Sequence, residues 1–143
     1  MQKIAQPLEL EMLEKAITAS WCRETCFPLW RDSWSNDNLS YGQSDATSLI
    51  VQHFFGGEIC YCIHLGHYWN RLNNQDGKDN EREVDFTRKQ YAPHIQKMIC
   101  FDKYTNFGEM VFESSIKDAR LIERSSALKQ KVEDYIKKIE ISL

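Results

Sequence analysis

The chain has 143 residues, of which 42% are hydrophobic and 27% are charged, and its formal net charge at pH 7 is −3. This length fits one domain, residues 1–143, whose hydrophobic core needs no disulfide or metal to hold it together. The slightly acidic balance gives no reason to expect nucleic acid or an anionic membrane as a partner, because both bind a basic protein face.

Targeting signals and cysteine usage bear on location. No apolar run approaches the roughly 20 residues that span a bilayer, and the first residues lack the apolar segment of a signal peptide. We therefore expect a cytoplasmic protein without a membrane partner. The five cysteines are an odd number, and reduced thiols are the simplest account of them.

The first half of the chain is predicted to contain two helices separated by a long loop. Apolar residues at helical spacing predict a helix from about Pro7 to Ser20. The irregular stretch Trp21–Tyr41 is rich in tryptophan, and a loop of this length in a compact domain is usually functional or pinned by large side chains. A second helix is expected from Asp45 to Phe55, where two glycines end it.

The second half is predicted to form a small antiparallel sheet followed by a helix. Gly66 separates two strands of a hairpin, a polar loop leads to a third strand, and Thr87 is placed to cap a short helix. The expected fold class is α+β, with N-terminal helices packed on the sheet and a helix at the C-terminus. The predicted strands and the last helix span Glu58–Leu65, His67–Leu72, Glu81–Phe86 and Ser114–Leu143.

Three side chains follow one another in the order that a cysteine-type acyl-transfer site requires. Ser44 stands at a helix start, where the helix dipole and free N–H groups favour a thiolate and can hold an oxyanion. His67 opens a strand that would hold it rigidly as a base, and Asp85 on the next strand would fix its tautomer. We expect the three side chains to converge near hydrogen-bonding range.

Three stretches carry a resemblance to a known family. They are Tyr-Gly-Gln-Ser-Asp-Ala-Thr-Ser from Tyr41, Gly-His-Tyr-Trp-Asn-Arg-Leu from Gly66, and Glu-Val-Asp-Phe-Thr from Glu83. Together they resemble the bacterial YunG family, and the later two also resemble the histidine and aspartate motifs of transglutaminase-like domains. The resemblance implies a papain-like or transglutaminase-like core with a Cys-His-Asp triad, in which Ser44 stands at the cysteine position.

The serine at position 44 decides what activity the resemblance implies. A serine hydroxyl is far harder to ionise than a thiol, and a helix dipole worth about 0.3–1 kcal/mol does not close that gap. An engineered replacement of cysteine, a natural loss or change of activity, and a working serine triad all stay open. The predicted function is that of a cysteine-type acyl-transfer scaffold (amide or isopeptide hydrolase, deamidase or transglutaminase-like). With serine at position 44 the protein is expected to be inactive. The expected substrate is a peptide or protein with an amide group, and no cofactor is expected.

The alternative function is a catalytically dead module that binds a peptide or protein. Its cleft would be lined by the tryptophans Trp30, Trp34 and Trp69. Apart from either function, a structural explanation makes His67 a hydrogen-bonded core residue and Asp85 a solvated carboxylate at a strand end.

Two polar residues beside the predicted triad also have two interpretations each. Gln43 is either an oxyanion donor or a side chain that stabilises the turn. Asn70 either supports the site or is simply a polar residue of the hairpin.

Cysteines and charges elsewhere have structural explanations. Cys60, Cys62 and His64 share a strand face, but structural zinc sites take ligand pairs from two separate elements. We therefore expect Cys60 and Cys62 to be buried free thiols, with no metal. Charges of both signs from Arg120 to Lys138 are typical of a solvated helix face with intrahelical ion pairs.

Overall fold

A computed structural model describes residues 8–62, 65–72, 82–90, 102–104 and 119–142 of the chain. Some of the predictions fall outside these residues: those for Pro7 and His64, for the polar loop 73–80, and for the start of the last helix at Ser114.

Among the described residues, three α-helices form where the apolar patterns predict them. Helix α1 spans Leu10–Ser20, α2 spans Ser44–Phe55 and α3 spans Leu121–Ser142. α2 begins one residue earlier than expected and ends at Phe55. The next residue, Gly56, has a φ of +73°, a conformation that other residues disfavour. None of the described helices has both the length and the apolar character needed to cross a bilayer.

Within the part of the chain that the structure describes, four strands form an antiparallel sheet in the spatial order β3-β2-β1-β4. The predicted hairpin and third strand are present. The fourth strand was not predicted, because three residues are too few to show an alternating pattern. The strands are β1 (Glu58–Cys62), β2 (His67–Leu72), β3 (Arg82–Val84) and β4 (Asp102–Tyr104).

The register of the sheet brings the predicted histidine and aspartate to the same end. In β2, Asn70 lies opposite Val84 of β3. Because the strands are antiparallel, the chain that continues from Val84 through Asp85 runs back towards His67, the first residue of β2.

The two faces of the sheet carry different clusters. Ile59, Leu72 and Val84 belong to the main core, together with residues of all three helices. Cys60, Cys62 and Trp69 form a smaller cluster. Since side chains alternate between the faces of a strand, His67 shares the face of Trp69, and its ring stacks on the indole at 5.6 Å between centroids.

The helices are layered differently from the prediction. α2 packs on β1 and β2, whereas the main neighbour of α1 is α3, which also packs on α2. The α+β class is therefore confirmed, but α2 is the N-terminal helix that covers the sheet. The long loop before α2 contains two 3₁₀ helices, Arg23–Thr25 and Pro28–Ser33.

Candidate active site

Ser44 is the first residue of α2 and is almost completely buried. The turn before it requires glycine, because Gly42 has a φ of +71° and an added Cβ would overlap Cys26 Sγ. The hydroxyl of Ser44 accepts a hydrogen bond from the backbone N–H of Tyr68 at 3.2 Å. Among the described residues, this is the only hydrogen bond that Ser44 Oγ makes.

His67 and Asp85 form a buried pair. His67 Nε2 lies 2.7 Å from Asp85 Oδ2, and the imidazole is 0% and the carboxylate 9% exposed. Arg88 Nε donates to the same Oδ2 at 2.8 Å, and the Thr87 hydroxyl donates to Oδ1 at 3.4 Å. A carboxylate held by three donors in this way is not the solvated strand-end group of the alternative interpretation.

The contact between Ser44 and the strand that carries His67 is made by the backbone of that strand. Ser44 Oγ is bonded to the N–H of Tyr68, the neighbour of His67 in the chain, while the imidazole lies beside Trp69. Of the two contacts expected for a triad, the one from imidazole to carboxylate is present. The one from hydroxyl to imidazole is absent from the hydrogen bonds between described residues.

Gln90 connects the two halves of the site. It ends a 3₁₀ helix, Arg88–Gln90. Its Oε1 accepts a hydrogen bond from Gly42 N at 3.2 Å, and its Nε2 lies 3.4 Å from His67 Nδ1. The sequence reasoning missed both Arg88 and Gln90. The spacing of three residues between Asp85 and Arg88 was an available signal, whereas no local pattern points to Gln90.

Gln43 and Asn70 hold α2 in place. Gln43 is completely buried, its Oε1 accepts from the Thr25 hydroxyl at 2.7 Å, and its Nε2 donates to the Cys22 carbonyl at 2.9 Å. These are the contacts that the turn-stabilising interpretation calls for. Asn70 Nδ2 donates to the Ser48 carbonyl at 2.9 Å, which joins β2 to α2.

A buried ion pair lies next to Ser44. Arg124 of α3 binds Asp45 through two contacts, Nη1 to Oδ1 at 2.8 Å and Nη2 to Oδ2 at 2.6 Å. The prediction of a solvated face was therefore wrong for Arg124, whose partner is 79 residues away in sequence and invisible to helical spacing. The same prediction is confirmed for the i,i+4 pair of Lys129 and Glu133, at 3.8 Å.

A small pocket opens at Ser44, with a volume of about 70 Å³. Its other lining residues are mostly aromatic or small: Phe27, Trp30, Gly42, Asp45, Gly66, Tyr68 and Ala119. Of the three tryptophans predicted to line a cleft, Trp30 lines this pocket. Trp34 instead donates to the Leu39 carbonyl at 3.0 Å, and Trp69 is 2% exposed in the cluster across the sheet.

The thiols of Cys26, Cys60 and Cys62 are buried, and none of them forms a disulfide with another described residue. The exposed fractions of Cys60 and Cys62 are 0% and 1%, which confirms their predicted burial. Burial raises the pKa of Cys26 to about 11. Within the described ranges, no group of three or more His, Cys, Asp or Glu side chains is placed to hold a metal ion.

Comparison with protein-family models gives a match over most of the chain. The family model of the YunG protein matches residues 9–137, which is most of the chain. No curated protein and no solved structure matches significantly. The chain belongs to the YunG family.

Proposed function

We propose that this member of the YunG family carries a cysteine-type acyl-transfer site with a papain-like or transglutaminase-like arrangement. Position 44 would be the nucleophile, His67 the base and Asp85 the residue that orients the base. The observation that supports the proposal is the buried 2.7 Å contact between His67 and Asp85. Tyr68, the residue after His67, donates its backbone N–H to Ser44 Oγ at the start of α2. With serine at position 44, the chain is inactive as an enzyme.

The His67–Asp85 pair has the geometry of an oriented general base. The carboxylate accepts the Nε2 hydrogen, which leaves the Nδ1 lone pair to take a proton from the nucleophile. Arg88 and Thr87 fix the carboxylate from two further directions. Asp85 therefore holds the imidazole in one orientation without taking the proton itself.

The start of α2 suits a negatively charged nucleophile. The first N–H groups of a helix have no carbonyl partner within it, and the helix dipole favours an anion there by about 0.3–1 kcal/mol. In α2 the Ala46 N–H donates to Asp45 Oδ1 at 2.7 Å. The carboxylate of Asp45 would oppose this effect, but the guanidinium of Arg124 binds both of its oxygens. The ion pair thus removes a local negative charge from beside position 44.

The proposed reaction forms and breaks a thioester. A thiolate at position 44 attacks the carbonyl carbon of an amide, the C–N bond breaks, and the amine leaves with a proton from His67. Water then releases the acid, or a second amine forms a new amide, so one intermediate serves hydrolysis, deamidation and transamidation.

The size of the pocket at Ser44 supports a peptide or protein substrate. Its volume of about 70 Å³ is well below the roughly 300–1,000 Å³ of sites that enclose small molecules. A pocket of this size fits one side chain or the edge of an extended peptide.

Thiol reactivity tests the proposed roles. In Ser44→Cys, the new thiol should react with iodoacetamide at least about tenfold faster than the five native thiols. The helix start and His67 should lower its pKa well below the free value of about 8.5, giving a large thiolate fraction at neutral pH. Adding His67→Ala should slow labelling strongly, and Asp85→Ala should slow it less because Asp85 only orients the base.

A matched control is available one turn earlier in the chain. Ser40 is 7% exposed and Ser44 5%, but Ser40 lies before the helix, so Ser40→Cys has similar burial without the helix start. All labelling is measured on the folded protein. Equal rates for Cys at positions 40 and 44, with no effect of His67→Ala, would rule out the acyl-transfer site.

A binding module is the second candidate function. The observation that favours it is the hydrogen bond from Tyr68 N to Ser44 Oγ. Through this bond the hydroxyl contacts the backbone at the start of β2 instead of the imidazole of His67. The pocket lined by Phe27, Trp30 and Tyr68 would then receive a side chain of a peptide or protein partner, and no residue would react. This function takes the lead if Ser44→Cys is unreactive.

A further inference from the structure

A backbone donor fixes the orientation of the Gln90 carboxamide. A backbone N–H can only donate, and Gly42 N lies 3.2 Å from one terminal atom of Gln90, so that atom must be the oxygen. The other terminal atom, 3.4 Å from His67 Nδ1, is therefore the NH₂ group. Since an amide NH₂ group only donates, Nδ1 must accept and carries no hydrogen.

The opposite side of the ring leads to the same tautomer. An ionised carboxylate only accepts hydrogen bonds, and Asp85 Oδ2 lies 2.7 Å from His67 Nε2. The same oxygen also receives the Arg88 Nε–H. Nε2 therefore carries the hydrogen, and two independent contacts define His67 as the Nε2–H tautomer.

We propose that Gln90 is a positioning residue, which ties the Nδ1 lone pair of His67 to the turn that leads into position 44. Its carboxamide touches Gly42, two residues before Ser44, with one end and the imidazole with the other. At 3.4 Å the contact to Nδ1 is long for a hydrogen bond, so the amide aligns the ring and competes only weakly for the proton. The use of this lone pair as a base rests on the proposed function, whereas the tautomer does not.

Nitrogen NMR of the unaltered chain tests the assignment directly. With ¹⁵N-labelled histidine, long-range ¹H–¹⁵N correlations distinguish protonated from unprotonated ring nitrogens. His67→Gln identifies the signals of His67 among the four histidines. We expect one tautomer at neutral pH, with Nε2 protonated and Nδ1 unprotonated. A protonated Nδ1, or a mixture of tautomers, overturns the proposal whatever any variant shows.

Gln90→Glu tests the role of the amide itself. The carboxylate still accepts from Gly42 N but presents an acceptor to Nδ1, so the Nδ1 signal should change to the protonated type at the same pH. The matched control is Gln52→Glu, since Gln52 is also partly buried and its NH₂ donates to a backbone carbonyl, that of Gly57, at 3.1 Å. That control should leave the His67 signals unchanged. An unchanged Nδ1 signal in Gln90→Glu would overturn the proposal.

The two proposals fail in different ways. The tautomer is measured with Ser44 in place, and the reactivity of position 44 is measured in Ser44→Cys. The expected tautomer together with an unreactive Cys at position 44 refutes the acyl-transfer site and retains the role of Gln90. A reactive Cys at position 44 together with a protonated Nδ1 refutes the role of Gln90 and retains the acyl-transfer site.

Discussion

Gly42 constrains the approach to Ser44 in three ways. Its φ of +71° is a left-handed conformation, and an added Cβ would overlap Cys26 Sγ. Its N–H also orients Gln90. A single residue without a side chain therefore sets both the start of α2 and, through Gln90, the contact to His67.

Alanine substitutions separate the two steric constraints. A residue other than glycine that is held at a positive φ costs about 1–3 kcal/mol of stability. Gly56→Ala should cost about this much, because Gly56 has a φ of +73° with nothing within 4 Å of an added Cβ. Gly42→Ala should lower the free energy of unfolding by clearly more, since Cys26 or the loop must also move. Urea unfolding measures both, and equal losses would show that Cys26 does not restrict the turn.

Cys26 should be unreactive in the folded protein. Burial raises its pKa to about 11, so the thiolate, which is the reactive form, is scarce at pH 7. Peptide mapping after iodoacetamide treatment should find Cys26 unmodified until urea unfolds the chain. Because the pKa in the folded state lies above the ordinary value of 9.0, the contribution of Cys26 to stability should fall as the pH rises from about 9 to 11. Labelling of Cys26 at the rate of an exposed thiol would contradict this.

At the scale of elements, three neighbours hold the first turns of α2. Asn70 joins it to β2, Gln43 joins it to the loop around Cys22, and Arg124 joins it to α3. The last of these is a buried charge pair, and a charge left alone in such a place is costly. The position of the candidate nucleophile therefore depends on α3, although α3 contributes no residue to the predicted triad.

Removing Arg124 should destabilise the protein strongly. Arg124→Leu leaves the Asp45 carboxylate buried without its partner, which typically costs about 3–5 kcal/mol. In an Asp45→Asn background the same substitution should cost less, because no charge is stranded. Urea unfolding of the four proteins gives the coupling between the two positions. Lys129→Leu breaks a partly exposed pair with Glu133 and should cost at most about 1 kcal/mol; a similar cost for Arg124→Leu would contradict the account.

The elements could be predicted from sequence because their signals are local. Apolar spacing and terminal glycines gave α2 to within one residue, and β-forming runs around Gly66 gave the hairpin. The contacts that complete the site lack such signals. Gln90 meets Gly42 across 48 residues and Arg124 meets Asp45 across 79, and each contact depends on how separate elements pack. The β4 strand was missed because it has only three residues.

At the scale of the whole molecule, the candidate site lies where two packed regions meet. The main core joins the three helices to one face of the sheet, and the cluster around Trp69 lies on the other face. Ser44 belongs to a helix of the first region, and His67 stacks on the second. Gln90 contacts both Gly42, near Ser44, and the imidazole of His67. The N–H of Tyr68, the residue after His67, donates to Ser44 Oγ. We propose that these two regions together form one acyl-transfer site.

Formation of a thioester at position 44 tests that claim most directly. Ser44→Cys is incubated with p-nitrophenyl acetate, whose acetyl group passes to the thiolate as p-nitrophenolate leaves. Intact mass and peptide mapping should find one acetyl group on the Cys at position 44, formed at least about tenfold more slowly when His67→Ala is added. The Ser40→Cys control should not acquire it. Acetylation spread over the native thiols, or an adduct at position 44 that forms equally fast without His67, would contradict an acyl-transfer site.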